Sequence, residues 1–108
     1  YVGEVGLDHV TTDPAERALQ REVFAQVLDR CAATGDKVLT VHSRRAAATV
    51  IDMVGKDFPG TVILHWFSGS MREASRAAAN GLYFSVNPAM VRSKSGQALI
   101  ETFEADRV

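Results

Sequence analysis

Three side chains of types that commonly bind metal ions lie close to the predicted ends of strands. Glu4 lies near the end of an opening strand, and His42 and His65 directly end the second and third predicted strands. In parallel α/β architectures the carboxyl ends of the strands share one edge, so these side chains would face one mouth. A carboxylate and two imidazoles suit Zn, Mn, Fe, Ni or Co, and with further oxygen ligands they suit a two-metal hydrolytic site.

Each of these residues also has a structural explanation. A single histidine at the end of a buried strand is more often hydrogen-bonded within the core than a ligand. Glu4 could equally form a salt bridge, whereas two histidines in register favour the metal site. His9 follows Leu7-Asp8 and is expected to be a polar loop residue.

Arg44 is the candidate phosphate-binding side chain. It follows His42 by two residues and begins a loop that leads into a helix, so it can point into the same mouth. Its planar guanidinium can hold a phosphate or a carboxylate through two contacts. The neighbouring Arg45 is expected to face solvent.

A second anion-binding candidate is the segment Phe67-Ser68-Gly69-Ser70. It lies between a strand end and a helix start, where free backbone N–H groups and the helix dipole favour an anion. Ser68 and Gly69 would therefore contact substrate, and simple capping by Ser70 is the structural alternative.

Aromatic and polar residues near this edge could complete a pocket. Trp66 and Phe67 could wall the pocket or stack on a base, and one of them is expected to belong to the core. Asn87 and Pro88, with Ser85 nearby, follow the fourth predicted strand and could contribute to a substrate pocket.

The elements that must position these residues alternate between strand and helix. Asp13 is a good N-cap, Pro14 suits the first helical position, and Glu16 has the spacing of a capping box. Apolar residues then recur at helical spacing and predict a buried face, and they are Leu19, Val23, Phe24, Val27, Leu28 and Cys31. The other predicted elements are strands 38–41, 62–64 and 82–86 and helices 46–54, 74–79 and 96–103, with a capping box at Ser70 and Glu73.

Four strands each followed by a helix predict right-handed crossovers and a parallel sheet, which is the α/β class. Periodicity alone leaves a flavodoxin-like or Rossmann sheet level with part of a TIM (β/α)8 barrel. A barrel needs about 250 residues, so this chain would be roughly half of one. Gly3 and Gly6 lack the third glycine of a dinucleotide loop, which counts against the Rossmann fold.

Composition excludes several classes of protein. The chain has 108 residues, 46% hydrophobic and 23% charged, with 12 Lys+Arg against 13 Asp+Glu. Disorder, a membrane span and nucleic-acid binding by net charge alone are therefore not expected, and any phosphate binding must be local. The single Cys31 fits a reducing compartment, so a cytoplasmic protein is the expectation. Residues 1–108 read as a single domain that is a fragment of a longer protein.

The ordered motifs of the chain resemble those of the TatD family of metal-dependent hydrolases, over essentially the whole sequence. They are Gly3-Glu4-Val5-Gly6-Leu7-Asp8, then Arg17 and Gln20 before Phe24, His42-Ser43-Arg44, His65 followed by Phe67-Ser68-Gly69-Ser70, and Gly81-Leu82-Tyr83-Phe84-Ser85. The resemblance implies a (β/α)8 barrel with two divalent metal ions (Mg, Mn or Zn) at its C-terminal mouth and nuclease activity on DNA.

The resemblance also implies roles for single residues. Glu4 looks like a metal ligand shared between two ions, His42 and His65 look like further ligands, and Arg44 looks like the phosphate-facing arginine. The family's His-x-His pair would precede Tyr1.

The family's Thr-Asp-x-Pro motif, whose Asp looks like a ligand and possible general base, would follow Val108. No catalytic residue is therefore expected within this chain, which would hold the fourth to seventh barrel strands. Trp66 and Asn87-Pro88-Ala89-Met90 depart from the usual family pattern and look like an anti-phage, defence-associated subgroup.

Three hypotheses follow. The first is a metal-dependent deoxyribonuclease that cleaves phosphodiester bonds. The second keeps the barrel and the metals but acts on a small amide, lactone or phosphoester. The third is a non-catalytic half-barrel that self-associates through exposed strand edges.

Overall fold

The computed structural model describes residues 2–103 and 107–108. In these ranges the strands are β1 (Val2–Asp8), β2 (Val38–Arg44), β3 (Thr61–Leu64) and β4 (Tyr83–Phe84). The helices are α1 (Pro14–Thr34), α2 (Ala47–Val54), α3 (Met71–Ala79), α4 (Pro88–Arg92) and α5 (Lys94–Glu101). None of the helices in the described ranges is long and apolar enough to cross a membrane.

The four strands form one parallel sheet in the order β1-β2-β3-β4. The α/β prediction is therefore confirmed. Spatial order follows chain order without a reversal, whereas doubly wound sheets reverse direction at a switch point. The arrangement is consistent with part of a TIM barrel, in which each βα unit adds the next strand on the same side.

The helix α1 begins at the predicted cap but without the predicted capping box. The Asp13 side chain accepts a hydrogen bond from the Ala15 N–H, and Gly35 ends the helix in a left-handed conformation with φ of 77°. The prediction that Glu16 completes a capping box was wrong. Its Oε2 instead accepts from the Thr11 hydroxyl at 2.5 Å, because the loop before the helix folds back onto the first turn.

The capping box of α3 is confirmed. The Ser70 Oγ accepts from the Glu73 N–H at 3.1 Å, and the Glu73 Oε1 accepts from the Ser70 N–H at 2.8 Å. Two of the free N–H groups at this helix start are thereby satisfied from within the chain.

The C-terminal region contains two helices where one helix over 96–103 was predicted. The Asn87 side chain caps α4 by accepting from the Met90 N–H at 2.8 Å, and Pro88 occupies the first turn. Ser93 then caps α5 by accepting from the Gly96 N–H at 2.9 Å. Two separate caps within a few residues explain why the chain starts a helix twice.

The core lies on both faces of the sheet. The strands bury Leu7, Leu39, Val41, Val62, Leu64 and Phe84, and the helices and loops cover them with residues such as Phe24, Val50, Ile51 and Phe67. Cys31 is buried in this core as well. Burial on both faces is typical of a parallel sheet.

The predicted buried face of α1 is only partly correct. Phe24 and Leu28 are buried, but Leu19 and Val23 are 60% and 52% exposed. They lie beside β1, which is one of the two edge strands of the described sheet, so no neighbouring unit of the described chain covers them.

Candidate active site at the carboxyl edge of the sheet

His42 is the central residue of the candidate site. It lies inside β2, two residues before the strand ends, and pairs with Gly6 of β1. The prediction that His42 ends its strand was wrong, because pairing with β1 continues as far as Asp8 and Arg44. The half-buried imidazole makes no hydrogen bond within residues 2–103 and 107–108. The structural alternative, a histidine that is hydrogen-bonded within the core, therefore does not apply to His42.

Gly6 allows β1 to pass close to His42. Its φ is +139°, and an added Cβ would lie 2.0 Å from the His42 carbonyl oxygen. Only glycine fits such an approach between two backbones. Gly6, the second glycine of the first motif, is thus required by the position of His42.

Glu4 lies in the middle of β1 rather than near its end, so that prediction was wrong. The register between β1 and β2 shifts between Val2 and Val5, and Glu4 sits in this irregularity with φ of +50°. A bulge re-aims the side chain at that position, and a positive φ is uncommon for a residue other than glycine. The exposed Glu4 lines an opening of about 420 Å³ together with His42 and Glu16.

His65 directly follows β3, as predicted. Its backbone N–H donates to the Val41 carbonyl at 2.8 Å, which extends the pairing by one residue. Its Nδ1 lies 3.2 Å from the Ser85 Oγ, and its ring stacks on Trp66 with centroids 4.6 Å apart. His65 lines a second opening of about 300 Å³, which it shares with His42.

The three predicted ligands thus surround two neighbouring openings that share His42. In the part of the chain that the structure describes, no three His, Cys, Asp or Glu side chains are grouped closely enough to hold a metal ion. Glu4 lies on β1 and His65 directly follows β3, and two strand spacings of about 10 Å in total separate these two strands. Two half-buried imidazoles at one opening fit a divalent ion in donor type. They do not by themselves complete its coordination.

Arg44 was predicted to be the phosphate-binding side chain. It is exposed and lines the same opening as His42 and His65. Arg45 is also exposed, as predicted, but it lines a different opening with Ser68 and Gly69. The structure therefore separates the two arginines.

Ser68 and Gly69 differ in position. The exposed Ser68 reaches the opening that contains both histidines, whereas Gly69 lines only neighbouring openings. A Cβ on Gly69 would lie 2.5 Å from the Phe67 Cζ and 3.0 Å from the Ala47 Cβ. Close packing therefore accounts for Gly69, and the capping box already uses the N–H groups of Ser70 and Glu73.

The two aromatic residues after His65 divide between surface and core, as predicted. Phe67 is 0% exposed, and its ring contacts Phe84 edge-on. Trp66 is 54% exposed with φ of +49°, and it lines the opening with the histidines. A large apolar side chain is thus exposed at a residue whose backbone conformation is unfavourable, and such backbone strain is more common at functional sites.

Arg17 and Gln20 have a role that sequence reasoning did not identify. The Gln20 Oε1 accepts from the Asp8 N–H at 2.9 Å, and the Arg17 guanidinium donates to the Thr11 and His9 carbonyls at 2.8 and 2.9 Å. These contacts hold the loop after β1 in place. Arg17 and Gln20 are three residues apart and therefore lie on the same face of α1. Two polar side chains on one helix face could have indicated that this face contacts a polar loop.

Comparison with known proteins gives one consistent result. The family model described as TatD related DNase matches residues 1–108. The putative deoxyribonuclease TATDN3 of Mus musculus is 35% identical over 104 residues, which are 93% of this chain and 35% of that protein. The human deoxyribonuclease TATDN3 is 32% identical over 103 residues, which are 93% of this chain and 37% of that protein.

A bacterial relative agrees. The uncharacterized metal-dependent hydrolase TatD of Mycobacterium tuberculosis is 36% identical over 91 residues, which are 80% of this chain and 34% of that protein. The chain therefore spans about a third of the length of the curated relatives it matches. Because the family model matches residues 1–108, and the parallel βα array agrees with it, this chain belongs to the family of TatD-related DNases.

Proposed function

We propose that the protein containing this chain is a divalent-metal-dependent deoxyribonuclease and that the four βα units form part of its TIM barrel. The observation that carries the proposal is the opening shared by His42, His65 and Arg44 at the carboxyl edge of the sheet. Two imidazoles suit a divalent ion, and a guanidinium beside them suits the phosphate of the substrate. The names of the mouse and human relatives support DNA as that substrate.

The proposed ligands are Glu4, His42 and His65. Glu4 and His42 line one opening and His42 and His65 line the next, which supports a site for two ions. Divalent ions held by these residues would supply neutralisation of charge on the scissile phosphodiester and a more acidic bound water.

The other side chains at the opening bind and orient the substrate. The Arg44 guanidinium holds a phosphate through two hydrogen bonds, and the Ser68 hydroxyl donates a further one. The exposed Trp66 ring offers the face opposite His65 to a nucleobase, because base stacking on aromatic side chains needs no particular sequence. These local contacts replace the basic surface that a net charge of -1 does not provide.

The test uses the full-length protein, stripped of metal with EDTA and then supplied with Mg²⁺, Mn²⁺ or Zn²⁺. We expect metal-stimulated cleavage of labelled DNA, and we expect Glu4→Ala, His42→Ala and His65→Ala each to abolish it. His9→Ala is the matched control, because the His9 side chain lines none of the openings described above. Normal cleavage by all three ligand variants would contradict the proposal.

The same preparation separates the two alternatives. Metal-dependent hydrolysis of a small amide, lactone or phosphoester without cleavage of DNA would indicate a small-molecule hydrolase. Self-association without hydrolysis would indicate a non-catalytic half-barrel that pairs through the exposed flank at Leu19 and Val23. A cytoplasmic location is part of the proposal and rests on the single free cysteine, Cys31.

A further inference from the structure

Ser85 joins two residues of the opening that are far from it in sequence. Its Oγ accepts from the Trp66 N–H at 3.0 Å and lies 3.2 Å from the His65 Nδ1. The Ser85 N–H donates to the Leu64 carbonyl at 3.0 Å, so its own backbone is held at the end of the β3–β4 pair. The half-buried hydroxyl is thus placed by the sheet and not by a mobile loop.

The two ring nitrogens of His65 differ in their contacts. Among the residues described, only the Nδ1 of this ring has a hydrogen-bond partner, and Nε2 has none. The ring also lies against Trp66, with an angle of 21° between the two planes. Stacking on one face and a hydrogen bond at one edge together restrict rotation of the imidazole.

A neutral imidazole carries one proton, and its ligating nitrogen must be the one without it. Histidine ligands almost always donate their other ring N–H to an oxygen acceptor, which sets the tautomer and the ring orientation. The Ser85 Oγ is in the position of that acceptor. The alternative is that the hydroxyl donates to Nδ1, in which case the proton lies on Nε2 and blocks it as a ligand.

We infer that Ser85 is a positioning residue whose Oγ accepts the His65 Nδ1–H and so presents the Nε2 lone pair to a divalent ion in the opening shared with His42. The inference rests on the proposed metal site. The same hydroxyl binds the Trp66 N–H, so it also stabilises the positive-φ backbone that stacks the indole on His65. Ser85 thereby orients both the His65 imidazole and the Trp66 indole.

The test measures the His65 tautomer and the affinity for Zn²⁺ in the full-length protein. Long-range ¹H–¹⁵N NMR of the metal-free protein, with the His65 signals assigned through His65→Gln, is expected to show the proton on Nδ1. Zn²⁺ is expected to shift the Nε2 resonance. Isothermal titration with Ser85→Ala is expected to give about 10- to 100-fold weaker Zn²⁺ binding, whereas Ser85→Thr, which keeps the hydroxyl, retains affinity.

Ser93→Ala is the matched control. Ser93 also accepts a backbone N–H, from Gly96 at 2.9 Å, but it caps α5 and does not contact His65. We expect it to lower thermal stability without changing the tautomer or the Zn²⁺ affinity. A proton on Nε2 in the metal-free wild type, or equal affinity in Ser85→Ala, would overturn the inference. If the tautomer and the Zn²⁺ affinities are as expected but the protein does not cleave DNA, only the proposed function would be overturned.

Discussion

Gly6 and His42 face each other across the β1–β2 pair so closely that a Cβ at position 6 would lie 2.0 Å from the His42 carbonyl oxygen. The contact links the fold to the site, because the strand that carries Glu4 is held against the strand that carries His42. Neither strand can shift without moving a proposed ligand.

Gly6→Ala is expected to damage both stability and activity. The new methyl group would meet backbone atoms, and the φ of +139° is unfavourable for alanine. Strain and overpacking together should lower the free energy of unfolding by about 3 kcal/mol or more. Urea unfolding checks this. Gly35→Ala is the control, since its φ is +77° but nothing lies within 4 Å of an added Cβ, so it should cost less. An equal loss of stability in Gly6→Ala and Gly35→Ala would show that the close approach to His42 adds nothing to the cost of the positive φ.

Gly69→Ala tests whether Gly69 acts through packing. Its Cβ would press on the Phe67 ring, so we expect a loss of about 1–3 kcal/mol in stability. Ser68→Ala, at an exposed neighbouring position, should leave stability unchanged and raise KM for DNA. If Gly69→Ala were as stable as the wild type and bound DNA poorly, the original expectation of substrate contact would be favoured.

Arg44→Ala and Arg45→Ala form a matched pair of charge removals. Only Arg44 lines the opening with both histidines, so its loss should lower kcat/KM on DNA by about 10- to 100-fold. Arg45→Ala should stay close to the wild type. Steady-state kinetics at one fixed salt concentration make the comparison. A similar loss in both variants would point to general attraction of DNA rather than to a phosphate clamp.

Trp66→Ala should weaken binding of single-stranded DNA by about tenfold or more, because a stacked base contributes about 1–3 kcal/mol. Trp66→Phe keeps an aromatic face and should recover most of that affinity. Fluorescence anisotropy with a labelled oligonucleotide and a catalytically inactive His42→Ala background measures binding alone. Unchanged affinity in Trp66→Ala would remove the stacking role.

Metal binding should stabilise the folded protein. A divalent ion that binds only the native state adds about 2.7 kcal/mol at a concentration 100 times its Kd. EDTA should therefore lower the Tm of the wild type, and adding back Mg²⁺, Mn²⁺ or Zn²⁺ should restore it. The double variant that carries His42→Ala and His65→Ala should show no such recovery. A double variant that responds to metal like the wild type would place the site elsewhere.

Features that depend on residues close together in the chain could be predicted from the sequence. Asp13 and Ser70 start their helices as predicted, since a cap needs only its own side chain and the next few N–H groups. The alternation of apolar runs and helical spacing predicted the parallel α/β order. His65 also lies where its pattern placed it, directly after a short buried strand.

Long-range geometry was decided only by tertiary structure. Strand ends depend on the neighbouring strand, so Glu4 became a mid-strand bulge and His42 an interior residue once β1 paired with β2 as far as Asp8. The contact between His65 and Ser85 joins residues 20 apart and exists only because β3 and β4 are in one register. Residue type and periodicity therefore determined which reactive and metal-binding side chains the chain carries. Pairing between strands determined which of these side chains lie together, because no local sequence pattern encodes that pairing.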